Sequence, residues 1–281
     1  MAIERAHFEM IDAWSRAGVA AVLVRVAAVK GSTPRDADAV MAVTASATVG
    51  TIGGGRLEWL AMARARAILA GAEAPGELEV ALGPEIGQCC GGRVRLSFAT
   101  LEAALLASLQ NQARDGAGRL PHVLVFGAGH TGRALATALA PLPLMTRLID
   151  TRADAYEGYT APVEAVVTPL PEAEVRAAPP GGAFVTMTHD HALDFLIAAE
   201  ALRRGDAAYV GMIGSATKRA VFLSWLDESG PEGGYGRELG GRLVCPIGGA
   251  RVRDKRPAVI AALTAAEIVA AVHDRSSESI T

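Results

Sequence analysis

Two adjacent thiols, Cys89 and Cys90, lie in the run Gly87-Gln-Cys-Cys-Gly-Gly92, with Arg93 directly after it. A cysteine without a disulfide is usually a small buried hydrophobe. These two have Gln88 and glycines as neighbours, which build no apolar wall, so that reading fits them poorly. Open backbone at Gly91 and Gly92 and a cation at Arg93 would lower a thiol pKa and favour the thiolate. A thiolate can attack an electrophile, carry sulfur or ligate a soft metal. Gln88 is a candidate contact beside them. The third cysteine, Cys245, sits in an apolar run, where the buried reading is preferred. An odd count with two neighbours adjacent argues against a disulfide framework, and the lack of a C-x-x-C pair argues against structural zinc.

A second group of residues suits an anion. Gly53, Gly54 and Gly55 stand before a helix expected over residues 57–69. Such a run exposes backbone N–H groups that fit a phosphate or an oxyanion. It is not a Walker A loop, since no Gly-Lys-Ser/Thr follows. It reads equally well as a tight turn that lets a strand and a helix pack closely. In Lys30-Gly-Ser-Thr-Pro-Arg35, the groups Ser32, Thr33 and Arg35 could meet an anion. Taken alone, those residues favour a plain surface connection held by Pro34.

The third group lies in the second half. The apolar run 123–126 reads as a buried parallel strand, followed by Gly127, Gly129 and Gly132 in a G-x-G-x-x-G pattern and by helix formers. Leu148-Ile-Asp150 then ends a second apolar run in an acid. This is the layout of a dinucleotide-binding βαβ unit, with phosphates on the helix N-terminus and Asp150 on a ribose hydroxyl. Further strands are expected over 164–168, 183–188 and 207–213. Their ends would bring Gly127 to His130, Asp150, Thr188 to His191 and Gly214 to Arg219 to one rim. His189 and His191 read as metal ligands, general bases or a helix-capping region; capping with cofactor contact is preferred. Lys218 and Arg219 oppose the dipole of the helix they open, which points to an anionic partner or to a solvated basic pair.

Strands alternating with helices predict a Rossmann-like, doubly wound parallel sheet over residues 120–281. A smaller N-terminal α+β domain is expected over 1–109, with helices near 8–14 and 101–109 and strands over 20–29, 39–45, 77–82 and 93–98. The polar, Gly-bearing stretch 110–119 reads as the linker. A final helix is expected to end near His273, with 276–281 a frayed tail. The 51% hydrophobic and 20% charged content fits a folded protein, and a net charge of −3 gives no sign of a nucleic-acid partner. The first residues lack the apolar core of a signal peptide, and no uninterrupted apolar run approaches a membrane span, so a cytoplasmic location is expected.

The motifs also match a known pattern in their order. Gly31-Ser-Thr-Pro-Arg35, Gly50-Thr-Ile-Gly-Gly-Gly55 with Leu57-Glu58, and Gly87-Gln-Cys-Cys-Gly-Gly92 resemble the first domain of the XdhC/CoxI family. Val125-Phe-Gly-Ala-Gly-His-Thr-Gly132, Thr188-His-Asp-His191, Tyr209-Val-Gly-Met-Ile-Gly-Ser215 with Lys218-Arg219, and Cys245-Pro-Ile-Gly248 resemble its second, Rossmann-like domain. The resemblance implies a chaperone that binds molybdenum cofactor (molybdopterin) while a cysteine desulfurase supplies the sulfido ligand. The chaperone then delivers it to the large subunit of a xanthine-dehydrogenase-type molybdoenzyme. It also implies a homodimer. On this reading Cys89 or Cys90 contacts the molybdenum end, and Gly53 to Gly55 and Arg35 contact the anion. Two positions depart from the pattern: Asp38 and Arg251 stand where the family usually has glycine.

Two other functions compete with that one. An NAD(P)-dependent oxidoreductase is motivated by Gly127, Gly129, Gly132 and Asp150, but no hydride-transfer constellation accompanies them and the cysteine loop stays unexplained. A Rossmann module used only for protein contact is the third.

Overall fold

The computed structural model describes residues 3–33, 35, 37–83, 91–229, 236–249 and 254–278. The chain forms two compact units, Met1–Arg119 and Leu120–Thr281.

The first unit runs α1 (Arg5–Arg16), β1 (Val22–Lys30), β2 (Val40–Val43), β3 (Thr48–Gly50), α2 (Gly55–Leu69), β4 (Gly76–Ala81), β5 (Arg93–Thr100) and α3 (Ala103–Gly118). The strands form one antiparallel sheet in the order β3-β2-β1-β5-β4. Alternation along β1 sends Val22, Val24 and Val26 to one face, where they pack with Leu96 and Phe98 of β5 and with Leu57, Ala61 and Ala65 of α2. Leu23 points the other way and joins Ala42, Ile11 of α1, and Leu109 and Ala113 of α3. One helix therefore covers one face of the sheet and two cover the other.

The expected linker is a correction. Residues 110–118 continue α3 rather than leaving the fold. Leu109 and Ala113, four positions apart, are both buried, so the polar residues between them form the outer face of an amphipathic helix.

The second unit runs β6 (His122–Phe126), α4 (His130–Leu139), β7 (Met145–Asp150), β8 (Glu164–Val167), α5 (Pro171–Ala177), β9 (Ala183–Thr186), α6 (His191–Arg203), β10 (Tyr209–Met212), α7 (Ala216–Glu228), β11 (Leu243–Val244) and α8 (Pro257–Glu278). All neighbouring strands are parallel, in the order β11-β10-β9-β6-β7-β8. Numbered within the unit this is 3-2-1-4-5-6 read from the β8 edge, the doubly wound arrangement, with its switch point between β6 and β9. Val123, Val125 and Val185 face a core closed by α4 and α8. Leu124, Phe126 and Phe184 face a core closed by α5, α6 and α7.

Two expectations near the C-terminus change. The region 240–248 holds only the two-residue β11, preceded by a 3-10 turn over Arg237–Arg242. Helix α8 extends to Glu278, past the point where a frayed tail was expected. By length and composition alone α8 is also the one helix among the described residues that could cross a membrane, although Thr264, Glu267 and His273 interrupt its apolar run. Here its Ala261, Ala265, Ile268 and Val272 are core of the second unit.

Candidate functional site

In the first unit, strand direction gathers the motif loops at one end of the sheet. Lys30 pairs with Arg93, Arg93 with Ala81, Arg25 with Val40 and Met41 with Gly50. The loops 31–39, 51–54 and 82–92 therefore all leave the sheet at the same end. The first and third touch. A Cβ on Gly31 would lie 3.3 Å from the Gly92 Cα, and one on Gly92 would lie 2.2 Å from the Ser32 carbonyl oxygen, so neither position admits a side chain without movement. The base of the cysteine loop is pinned by Leu82 N–H to Gly92 O at 2.8 Å and Gly91 N–H to Leu82 O at 2.9 Å. Cys89, Cys90 and Gln88 themselves lie outside the described residues, as does Arg251.

The glycine turn is left-handed at Gly53, Gly54 and Gly55, with φ of +131°, +79° and +60°. Only glycine takes three such values in a row without strain. Glu58, in the first turn of α2, holds the turn from inside: its Oε1 accepts from Thr51 Oγ1 at 2.5 Å and from Ile52 N–H at 3.1 Å. No atom lies within 4 Å of the place a Gly54 Cβ would occupy. The tight turn between β3 and α2 is thus realised. Arg35 is exposed, and its carbonyl accepts from Thr33 Oγ1 at 3.0 Å. Asp38 adopts φ +69°, which explains why glycine suits this position; aspartate is among the few other residues that tolerate it. Its carboxylate has the Arg25 guanidinium 3.5 Å away.

In the second unit the three glycines of the β6–α4 turn do three different things. Gly127, at φ +110°, runs so close to β9 that a Cβ would meet the Met187 carbonyl oxygen at 2.5 Å. A Cβ on Gly132 would sit 1.8 Å from the Gly127 oxygen, so this glycine lets the helix pack on its own turn. Gly129 has an ordinary φ of −73° and nothing within 4 Å of its missing Cβ, leaving the approach to the α4 N-terminus open. That division of labour is the one a dinucleotide's pyrophosphate needs.

Asp150 departs from the expected pattern. It is 6% exposed and turned inward. Its Oδ2 accepts from Ala128 N–H at 2.8 Å and Arg152 Nη2 at 3.2 Å, and its Oδ1 from Arg152 N–H at 3.0 Å and Arg152 Nε at 3.1 Å. Burial pushes its carboxyl up, but the Arg152 side chain and the Ala128 and Arg152 backbone donors outweigh that, leaving the pKa below the ordinary aspartate value. The acid holds the glycine loop instead of standing ready for a ribose. Arg133 adds a second brace, donating from Nε to Ala128 O at 2.9 Å and from Nη1 to Glu157 O at 2.9 Å.

Lys218 also changes role. Its ammonium donates to Asp194 Oδ2 at 2.6 Å and Ile213 O at 3.0 Å. Asp194 is fully buried and also accepts from Thr188 N–H at 2.9 Å and Thr188 Oγ1 at 2.8 Å. The pair ties the β9–α6 turn to the start of α7; it does not present a cation outward. Asp190, not a histidine, caps α6, accepting from Ala192 N–H at 2.8 Å. His130, His189 and His191 are exposed on the rim, and His189 lines a shallow crevice with Phe126, Ile149, Asp150, Thr188 and Leu193. Cys245 is half-buried, its Sγ 3.8 Å from Ser215 O, and burial pushes its thiol up, against Lys218 and Arg219, which pull it down. Tyr209 donates to Glu267 at 2.6 Å, and Glu267 also accepts from Gly248 N–H at 3.1 Å, fastening α8 to the loop after Cys245.

Sequence reasoning missed Arg152, Asp194 and Glu58. For Arg152 a signal existed: an arginine two residues after the acid that ends the second strand. For Asp194 the only signal was an acid in the first turn of a helix; for Glu58 there was also its place beside Leu57 in the motif that follows the three glycines.

The description "XdhC Rossmann domain" matches residues 123–268, and "XdhC and CoxI family" matches residues 14–79. A crystal structure from Bacillus halodurans, described as that of a xanthine dehydrogenase, superposes with a TM-score of 0.74 at 16% identity, covering 98% of this chain and 97% of that one. At that identity the likeness concerns the fold. No curated protein matches the chain.

Proposed function

The chain belongs to the XdhC and CoxI family, and from that premise we propose that it is an accessory protein of a xanthine-dehydrogenase-type enzyme that holds molybdenum cofactor and hands it over. One observation supports the reading: three motif loops leave the first sheet at the same end, the first touching the base of the third, and the glycine turn of the second leaves open space at the place of a Gly54 Cβ. Molybdenum cofactor brings a phosphate at one end and a dithiolene-bound molybdenum at the other. The N–H groups of Gly53 to Gly55, with Arg35, would hold the phosphate. Cys89 and Cys90 would face the molybdenum end, where a thiolate is a suitable soft donor. Glu58 fixes the turn and takes no part in binding.

The same proposal includes a cysteine desulfurase as sulfur donor, the enzyme's large subunit as recipient, a homodimer and a cytoplasmic location. The oxidoreductase reading loses one contact, that of Asp150 with an unphosphorylated ribose, because the carboxylate is already engaged. Reconstitution tests delivery: a cofactor-free molybdoenzyme is mixed with cofactor in the presence or absence of this protein. The proposal expects faster and more complete recovery of activity with it. Equal recovery in both arms refutes delivery.

A further inference from the structure

We infer that Arg152 makes the second unit a reader of 2′-phosphorylated adenine dinucleotides and a poor binder of their unphosphorylated counterparts. In Rossmann-like units the end of the second strand offers either an acid to the ribose diol or an arginine to a 2′-phosphate. The phosphate half of such a site is present here. Gly127 makes the tight turn, Gly132 seats the helix, and Gly129 leaves the α4 N-terminus open.

The diol half is absent. A carboxylate has about four acceptor positions. At Asp150 all four are taken, two on each oxygen, by Ala128 N–H, Arg152 N–H, Arg152 Nε and Arg152 Nη2. The side chain is 4% exposed. A ribose diol arriving there would find no acceptor, and displacing Ala128 N–H would loosen the loop that binds the pyrophosphate.

Arg152 is placed differently. A guanidinium has five N–H donors in a fixed fork. Two of them serve Asp150, so the opposite edge keeps three, and the side chain is 43% exposed. Asp150 thus acts as a buried brace that holds the arginine's other edge ready. A planar edge held in advance suits bidentate recognition of phosphate, since little rotamer freedom remains to be lost. Asp154 adds a weaker negative charge nearby.

This inference is independent of the molybdenum-cofactor reading, which concerns the first unit; either can fail alone. The test is calorimetric titration of the full chain with NADP+, NAD+ and 2′,5′-ADP, with no turnover involved. NADP+ is expected to bind at least about tenfold tighter than NAD+, and 2′,5′-ADP to compete with NADP+. In Arg152→Ala the preference should fall to about twofold or less, with NAD+ affinity little changed. The double variant Asp150→Asn with Arg152→Ala, which leaves no unpaired buried charge, should behave the same way. Equal affinity of the native chain for the two dinucleotides, no binding of either at millimolar concentration, or a preference that survives the loss of Arg152 would each overturn the inference.

Discussion

Replacing Lys218 by methionine keeps the length and apolar stem of the side chain and removes its charge. The Asp194 carboxylate left behind is fully buried and keeps only its two Thr188 donors. Breaking a buried ion pair by deleting one partner costs about 3–5 kcal/mol, since the other charge stays desolvated and uncompensated. Set against a total stability of about 5–15 kcal/mol for a domain, this is a large fraction. Adding Asp194→Asn removes the stranded charge, so the double variant should recover at least about 1 kcal/mol relative to Lys218→Met alone. Urea unfolding followed by Trp225 fluorescence reads this directly. Trp225 lies in α7, the helix that carries Lys218, and packs on Phe195 and Phe222 at centroid distances of 5.8 and 6.0 Å. Changing Trp14 and Trp59 to phenylalanine confines the signal to the second unit. A loss below about 1 kcal/mol, the value of a solvent-exposed pair, or strict additivity in the double variant would refute the buried-brace account.

Other outcomes follow from the same geometry. Gly132→Ala should destabilise the second unit by about 1–3 kcal/mol or more, because its Cβ would sit 1.8 Å from a backbone oxygen. Gly129→Ala should stay within about 0.5 kcal/mol of native stability and lose affinity for a phosphate-bearing ligand; denaturant melts and titration distinguish the two. Asp150 has a folded pKa below its ordinary value near 3.8, so its stabilising contribution is full above that value and disappears as pH falls through it toward the lower folded pKa. Stability profiles between about pH 5 and about pH 2 should therefore be flatter in Asp150→Asn than in the native chain. Burial pushes Tyr156 up to about 12, and burial with the bond to Glu267 pushes Tyr209 higher still. Their stabilising contribution is present below the ordinary tyrosine pKa of 10.0 and lost as pH rises through it. In an alkaline absorbance titration neither should ionise before the second unit unfolds, and Tyr209→Phe should leave the early phase unchanged.

The parts legible in the sequence were those fixed by local pattern. Alternation along Val22, Val24 and Val26 and the apolar run into Gly127 determined both sheets, because strand periodicity and a Cβ-free turn are properties of a few adjacent residues. The convergence of Gly127, Asp150 and Thr188 at one rim followed from the parallel order. What could not be read depended on which partners a side chain meets, most of them far along the chain. Lys218 looked outward until Asp194, 24 residues away, supplied its buried counter-charge. Asp150 looked available until Ala128, 22 residues before it, and Arg152 filled its lone pairs. The stretch 110–118 looked like a linker because its polar composition is conspicuous, whereas the helical spacing of Leu109 and Ala113 matters only once a core exists to bury them.

The central claim is that this chain carries molybdenum cofactor through its first unit. Purification from cells that make the cofactor, followed by assay of bound molybdenum and bound pterin, tests it most directly. The account predicts both in equal amounts on the native chain and their loss when Cys89 and Cys90 are replaced together by alanine. Native protein free of both, or a double variant that retains both in full, would contradict it.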